Sequence, residues 1–578
     1  MRRGVRNHTV GPGFRGGPPP KQDMNPRPLA RLLGTAGAVL LAAPLFAQGG
    51  PLLPPPAPAA NPVTPEKTVL GKMLYWEEQM SSDDTIACGT CHRPETGFSD
   101  PRPGTHPGPD GILGTPDDRF ASPGLISATI DGDYVEDATF GFDPQVTDRH
   151  SPEIVASLYA PEAFWDGRAG DAFTDPDTGV VTIPTGGALE NQVLGPPLSS
   201  VEMAHMGRDW DDVTTKLERV EPMALASDLT PDIVTALAAD GSYPELFEAA
   251  FGSPEITAAR IAFAIATYER TLVPDDTPWD RYVAGDLNAM TPQQVVGWNQ
   301  FNGIARCNLC HVPPVFSDNA FHNLGLRPSF EDEGRQGVTG LFADRGKFKT
   351  PSLRNAGLRT RFFHDGQKGV LDNGPAPGGV DDIYVDGGGP FRDNLDPLLQ
   401  PLGGQPGVDI PAIFEFVENG LTDPRAAAGL PPFDRPTLWR EANAVTAVRF
   451  GLGNPGGNGL VPGAIARTPA VVGSQDFKVG VTGAAGGATL AYLAVSQERG
   501  LGQAVNGVSI HVGTPVALLV PFSLQTAADG SSYGTAHLSI PDRPVLNGTE
   551  LVLQVFVPDA LASGGFAAAT PGLSYQMP

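Results

Sequence analysis

The sequence predicts a mainly α-helical protein built from two repeated domains in tandem, followed by a separate all-β module. Three observations carry that expectation. Two stretches share one pattern, Cys88-Gly89-Thr90-Cys91-His92 and Cys307-Asn308-Leu309-Cys310-His311. Each is preceded by an amphipathic segment, residues 67–80 and 293–301, and followed by the same triplet, Phe98-Ser99-Asp100 and Phe316-Ser317-Asp318. From Gly451 onward charges thin out, and short apolar runs such as Ala517-Leu518-Leu519-Val520 alternate with turn residues.

The elements follow in order. Arg27 and Arg31 precede an apolar run over 32–47 that ends in a small residue. This is the pattern of an export signal, so residues 1–47 are expected to be removed, with Met24 an alternative start. The run is too short and too rich in Gly and Ala for a transmembrane helix. Residues 48–64 are proline-rich and predict an extended linker. The first repeated domain is expected over 65–280 and the second over 281–450. Between the two motifs, 253–271 predicts a helix with Ser253 as cap, Pro254 in its first turn and a stripe of Ile256, Ile261, Ile265 and Tyr268. Residues 451–578 predict a sandwich-like β module. It holds no cysteine and only two histidines, His511 and His537, and is expected to serve structure or attachment rather than chemistry.

The bulk numbers narrow the function. A net charge of −26 over 578 residues argues against a nucleic-acid partner and suits a small basic electron-transfer protein. All four cysteines lie in the two motifs, leaving none for a disulfide, a zinc site or a thiol nucleophile. C-x-x-C-H attaches c-type haem: the thiols add to the vinyl groups and the adjacent histidine faces the iron. The expectation is therefore two covalently bound haem c groups in two cytochrome c-like domains. Attachment of c-type haem outside the cytoplasm agrees with an exported, periplasmic protein.

A further set of motifs carries a resemblance. Ala163-Phe164-Trp165-Asp166-Gly167-Arg168 is followed by Gln192, Pro196 and Glu202-Met203. Downstream come Lys349-Thr350-Pro351-Ser352-Leu353-Arg354-Asn355, Phe363-His364-Asp365-Gly366, Gly388-Gly389-Pro390-Phe391 and Leu421-Thr422-Asp423-Pro424-Arg425. In this order they resemble the bacterial di-haem cytochrome c peroxidase family, which includes the MauG-type enzymes, over about residues 65–450. The resemblance implies that the haem at His92 meets hydrogen peroxide, that Glu202 is the acid/base there with Gln192 as its partner, and that Trp165 relays electrons between the haems.

It also bears on the remaining iron ligands. In the peroxidases the second haem takes a methionine as sixth ligand, and in the MauG-type enzymes a tyrosine. No methionine lies between Met290 and Met577, and Tyr384 falls where the MauG-type tyrosine lies, which makes it the candidate; His322 and His364 are the competitors. Anionic oxygen stabilises ferric iron and lowers its potential, whereas a thioether raises it. For the first haem, His106 is the nearest match to a displaceable distal histidine, and His150 is the other candidate. The family's inter-domain calcium would use the positions of His150, Arg359 and Arg361, and two arginines argue against it. The acidic turn over 110–118 reads as a solvated loop rather than a calcium site.

The function implied is an exported di-haem peroxidase that takes electrons from a small cytochrome c or cupredoxin. The alternative is a MauG-type oxidase acting on a protein or organic substrate. A non-catalytic electron-transfer cytochrome is opposed by Glu202 and Gln192. No sequence signature speaks to oligomeric state.

Overall fold

The computed structural model describes residues 51–577 apart from 103, 373, 375, 443–446 and 563. The expected export signal lies outside the described residues. Among them, no helix is long and apolar enough to cross a membrane.

Capping chemistry sets the first helix. Thr64 accepts from the Lys67 N–H at 3.3 Å and Pro65 occupies the first position of the helix Pro65–Trp76. The helix expected from Ser253 begins instead at Ala258 and runs to Glu269. Its cap is Thr257, which accepts from the Arg260 N–H at 3.2 Å. The reason is the Arg260 guanidinium, which takes the carbonyls of Ser253 and Glu255 at 3.1 and 2.6 Å and holds them outside the helix. These two helices centre the first core, with Met73, Trp76, Ile261, Ile265 and Tyr268 buried.

A second core forms around Trp279, Phe301, Phe316 and Phe416. It packs the helix Pro292–Asn302, capped by Thr291, against Ile410–Glu415. The two cores exchange chain at their borders. Trp279, expected in the first domain, is buried in the second core. Phe433 and Leu438, expected in the second, are buried in the first, where Lys72 pairs with Asp434 at 3.1 Å.

The proline-rich stretch is extended but is not a free linker. Asn61 is buried and donates to Glu190 at 2.8 Å, and the Pro56 carbonyl accepts from Arg270. Glu190 itself is clasped by Arg270 through both oxygens at 2.7 and 3.0 Å, so the stretch is tied to a buried ion pair.

In the β module a six-stranded and a four-stranded antiparallel sheet enclose Val479, Leu493, Val555 and their neighbours. Strand Val448–Phe450 joins the larger sheet, slightly ahead of the expected boundary at 451.

Two candidate haem cavities with a shared wall

The two C-x-x-C-H stretches open onto two large cavities. Cys88, Cys91 and His92 line one, and Cys307, Cys310 and His311 line the other. Each histidine is oriented by the same device. His92 Nδ1 donates to the Phe98 carbonyl at 3.0 Å, and His311 Nδ1 to the Phe316 carbonyl at 3.1 Å. Phe98 and Phe316 have φ of 62° and 58°, a left-handed conformation that a bulky residue rarely adopts. The strained turn is what aims the carbonyl at the ring. A bond at Nδ1 fixes the tautomer that leaves Nε2 with its lone pair, and burial pushes both imidazoles below their ordinary pKa. Two thiols and a neutral, oriented imidazole at each apolar cavity fit a c-type haem.

The cavity at His92 also holds Glu202 and Gln192. Gln192 sits near the end of the short helix Ala188–Val193. Glu202 lies on a tight turn in which the N–H groups of Glu202, Met203 and Ala204 all point at the Ser199 carbonyl, at 3.1, 3.0 and 2.9 Å. Burial raises the Glu202 carboxyl above the usual carboxylate range, while the Arg168 cation and a Ser199 hydrogen bond pull against that rise. A smaller funnel walled by Phe164, Arg168, Ser199 and Glu202 opens toward the same carboxyl. The Arg168 guanidinium lies 3.6 Å over the Phe164 ring there.

Trp165 walls both cavities. It is 9% exposed, its indole N–H donates to the His150 carbonyl at 2.7 Å, and its own carbonyl accepts from the Lys349 N–H at 2.8 Å. The ring is therefore held from both sides of the border. Arg149 reinforces it, reaching Asp332 at 2.6 Å and Asp166 at 2.6 Å. Gly167 is required beside it, because a Cβ there would overlap the Arg335 guanidinium and lie 2.6 Å from the Phe321 ring.

Tyr384 lines the cavity at His311, on the short helix Asp381–Val385. Burial raises its phenol. His322 lines the same cavity but both ring nitrogens are engaged, Nδ1 by Asp396 at 2.6 Å and Nε2 by Asp318 at 2.9 Å. His364 is stacked on Phe348 at 3.5 Å with a buried, unpartnered Nε2. His106 is not among the residues that wall the first cavity; its Nε2 pairs with Asp148 at 3.2 Å, and Asp148 does line the wall. His150 lines both cavities, with Nε2 bonded to Ser99 at 2.6 Å. At the positions where the family's calcium would sit, Arg359 donates to the Ser352 and Arg354 carbonyls at 2.9 Å each, and Arg361 stacks on Phe120. In the acidic turn, Asp110 and Asp118 accept from backbone N–H groups of the loop itself, at 2.7 Å each.

Sequence reasoning missed two features. Glu269 brings a further buried carboxyl into the first cavity, with one oxygen unpartnered and a pKa pushed up to about 8 by burial. Only its place inside a buried apolar helix would have hinted at it. The other is that Phe164-Trp165-Asp166-Gly167 and Phe363-His364-Asp365-Gly366 are counterparts: Phe164 and Phe363 have φ of 68° and 69°, and each turn is closed by an antiparallel bridge. Trp165 and His364 meet edge to face at 6.4 Å. The shared F-x-D-G spelling was the signal.

Two cavities of this build, one of them walled by Glu202 and Gln192, fit a di-haem c-type redox protein. The di-haem cytochrome c peroxidase family model matches residues 65–288. The chain is 30% identical to the methylamine utilization protein MauG of Methylorubrum extorquens over 335 residues, 58% of this chain and 72% of that protein. It is 29% identical to the cytochrome c peroxidase Ccp of Escherichia coli over 324 residues, 55% of this chain and 54% of that one. A solved structure of a MauG-like protein associated with microbial copper homeostasis aligns with a TM-score of 0.46 at 23% identity, over 66% of this chain and 96% of that one. The chain belongs to the di-haem cytochrome c peroxidase and MauG family and is an oxidoreductase of that type.

Proposed function

We propose that this chain is an exported di-haem c-type peroxidase that reduces hydrogen peroxide with electrons from a small redox protein. One observation carries the reading: Trp165 walls both cavities, whereas Glu202 and Gln192 wall only the one at His92. Haem held by Cys88, Cys91 and His92 would supply an iron centre open to peroxide, and haem held by Cys307, Cys310 and His311 a store of electrons. Each peroxide takes two electrons and two protons and leaves as two waters.

The chain's residues divide the remaining work. Glu202, as a carboxylate, takes the proton from the near peroxide oxygen and returns it to the leaving oxygen. Gln192 orients the peroxide by hydrogen bonding. Trp165 bridges the two centres. Tyr384 is the candidate sixth ligand of the second haem; His322 would first have to break two carboxylate bonds, and His364, with its Nε2 unpartnered in the same cavity, is the competing ligand. His106 would reach the first haem only by giving up Asp148. The electron donor would be a small cytochrome c or cupredoxin, with a basic one favoured by the charge of −26.

Turnover of reduced cytochrome c with hydrogen peroxide tests the proposal. Peroxide-dependent oxidation, together with a change in the ferric spectrum on adding peroxide, is expected. Two low-spin haems that ignore peroxide would sink it. A MauG-type oxidase is the second reading, favoured by Tyr384; there, peroxide is consumed while reduced cytochrome c is left untouched.

A further inference from the structure

We infer that the C-terminal β module positions the turn that carries Glu202, acting through the segment 123–147. The inference rests on the catalytic role proposed for Glu202.

The segment is a closed loop standing between the two. At its base the Gly124 N–H donates to the Gln145 carbonyl at 2.9 Å, and the Gln145 N–H to the Leu125 carbonyl at 2.8 Å. That base grips the catalytic turn. Gln145 Nε2 donates to the Ser200 carbonyl at 2.8 Å, and the Met206 N–H donates to the Ala128 carbonyl at 2.9 Å. Gly124 lies flat on the turn: a Cβ there would overlap the Val201 carbonyl and lie 2.9 Å from Glu202 Cα.

The tip of the loop is held by the β module. The Tyr134 N–H donates to Thr535 Oγ1 at 2.8 Å, and the Tyr134 ring is buried with Ile126 and Ile465. Lys478 Nζ donates to the Gly132 carbonyl at 2.9 Å and sits 4.8 Å from the Tyr134 ring centre. Further along, the Ala528 N–H donates to Glu136 at 2.6 Å, and His537 Nε2 pairs with Asp133 at 2.8 Å. Phe142 packs on Tyr533 with ring centres 4.8 Å apart.

Backbone in direct contact with backbone transmits displacement, because packed interiors do not deform continuously. A shift of the tip is therefore felt at Glu202 Cα. General acid/base catalysis depends on such geometry, and a displacement on the order of 1 Å costs roughly 100-fold. Tyr134, Thr535 and Gly124 are thus positioning residues: none supplies a group to the reaction.

The test uses the full-length holoprotein. Tyr134→Ala, Thr535→Val and Gly124→Ala are each expected to slow the reaction of ferric protein with peroxide by roughly 10- to 100-fold. They should shift its acid limb, raise amide hydrogen exchange across 199–206, and leave the potential of the haem at His311 unchanged. Thr535→Ser, which keeps the acceptor, should restore the rate. Leu501→Ser, on the same module but 89% exposed, should match wild type. Wild-type exchange over 199–206 and a wild-type rate in all three variants would overturn the inference. Glu202→Gln in the same series separates the two readings: if it reacts as fast as wild type, the proposed catalytic role fails, while the exchange data alone still decide whether the module holds the turn.

Discussion

The two candidate haem cavities share a way of holding their histidine and differ in the side chains that line the rest. Both histidines are aimed by the carbonyl of a left-handed phenylalanine, and both cavities meet an F-x-D-G turn that begins with another. Trp165 stands where the second half has His364. Glu202 and Gln192 wall one cavity, and Tyr384 the other. His106 lies outside its cavity, and His322 is fixed inside its own by two carboxylates. The repeated strained turns fit a cofactor, and the unrepeated side chains decide what it would do there. Duplication supplies the holder, and the side chains that differ around it supply the chemistry.

The sharpest way to break that comparison is to erase the difference at Glu202. Glu202→Gln is expected to slow the peroxide reaction by roughly 100- to 10,000-fold, the range typical of lost acid/base catalysis. Both haems should remain attached, and the visible spectrum of the second should not change. Stopped-flow spectroscopy reads both outcomes, and a wild-type rate would end the asymmetry argued here.

A second test addresses the holder. Arg354 is fully buried in the second half and grips Asp280 through two bonds of 2.7 and 2.8 Å. Arg354→Met leaves a buried carboxylate unpaired, which typically costs about 3–5 kcal/mol. Chemical denaturation should show a matching loss, with the spectrum at His311 perturbed before that at His92.

Much of this was legible in the sequence, for physical reasons that can be named. C-x-x-C-H is short and local, so it reads directly. The amphipathic segments 67–80 and 293–301, read from apolar spacing, fall on the helices Pro65–Trp76 and Pro292–Asn302. What could not be read depends on contacts between distant residues. Arg260 withholds two carbonyls and moves a helix start by several positions. Phe433 and Leu438 are buried in the first core, where Phe433 packs on Phe98 with ring centres 6.1 Å apart. The role of 123–147 has no sequence signature, since it rests on partners hundreds of residues away.

A third prediction sharpens the comparison at Tyr384. Tyr384→Met replaces a phenol oxygen with a thioether, so the potential of the haem at His311 should rise. The potential of the haem at His92 should not move. Spectroelectrochemistry separates the two, and an unchanged second potential would remove Tyr384 from the iron.

The smallest effect concerns pH, and its sign is fixed by what holds the Glu202 carboxyl. Burial raises its pKa above 4.5, and only the ionised form can accept a proton from peroxide. The peroxide reaction should therefore fall as pH drops through that raised value. The same shift means that the folded state binds this proton more tightly than the unfolded chain does. Glu202's contribution to stability is then fully present below pH 4.5 and is lost as pH rises through the folded value. Arg168 opposes the rise, so Arg168→Gln should move the acid limb to higher pH. Because the Arg168 side chain is 50% exposed, water screens its charge, and the move should be less than about one pH unit. Arg168→Lys keeps the charge but loses the planar stack on Phe164, so it should restore the limb without fully restoring the rate. A limb that shifts downward in Arg168→Gln would mean that a group other than Glu202 governs it.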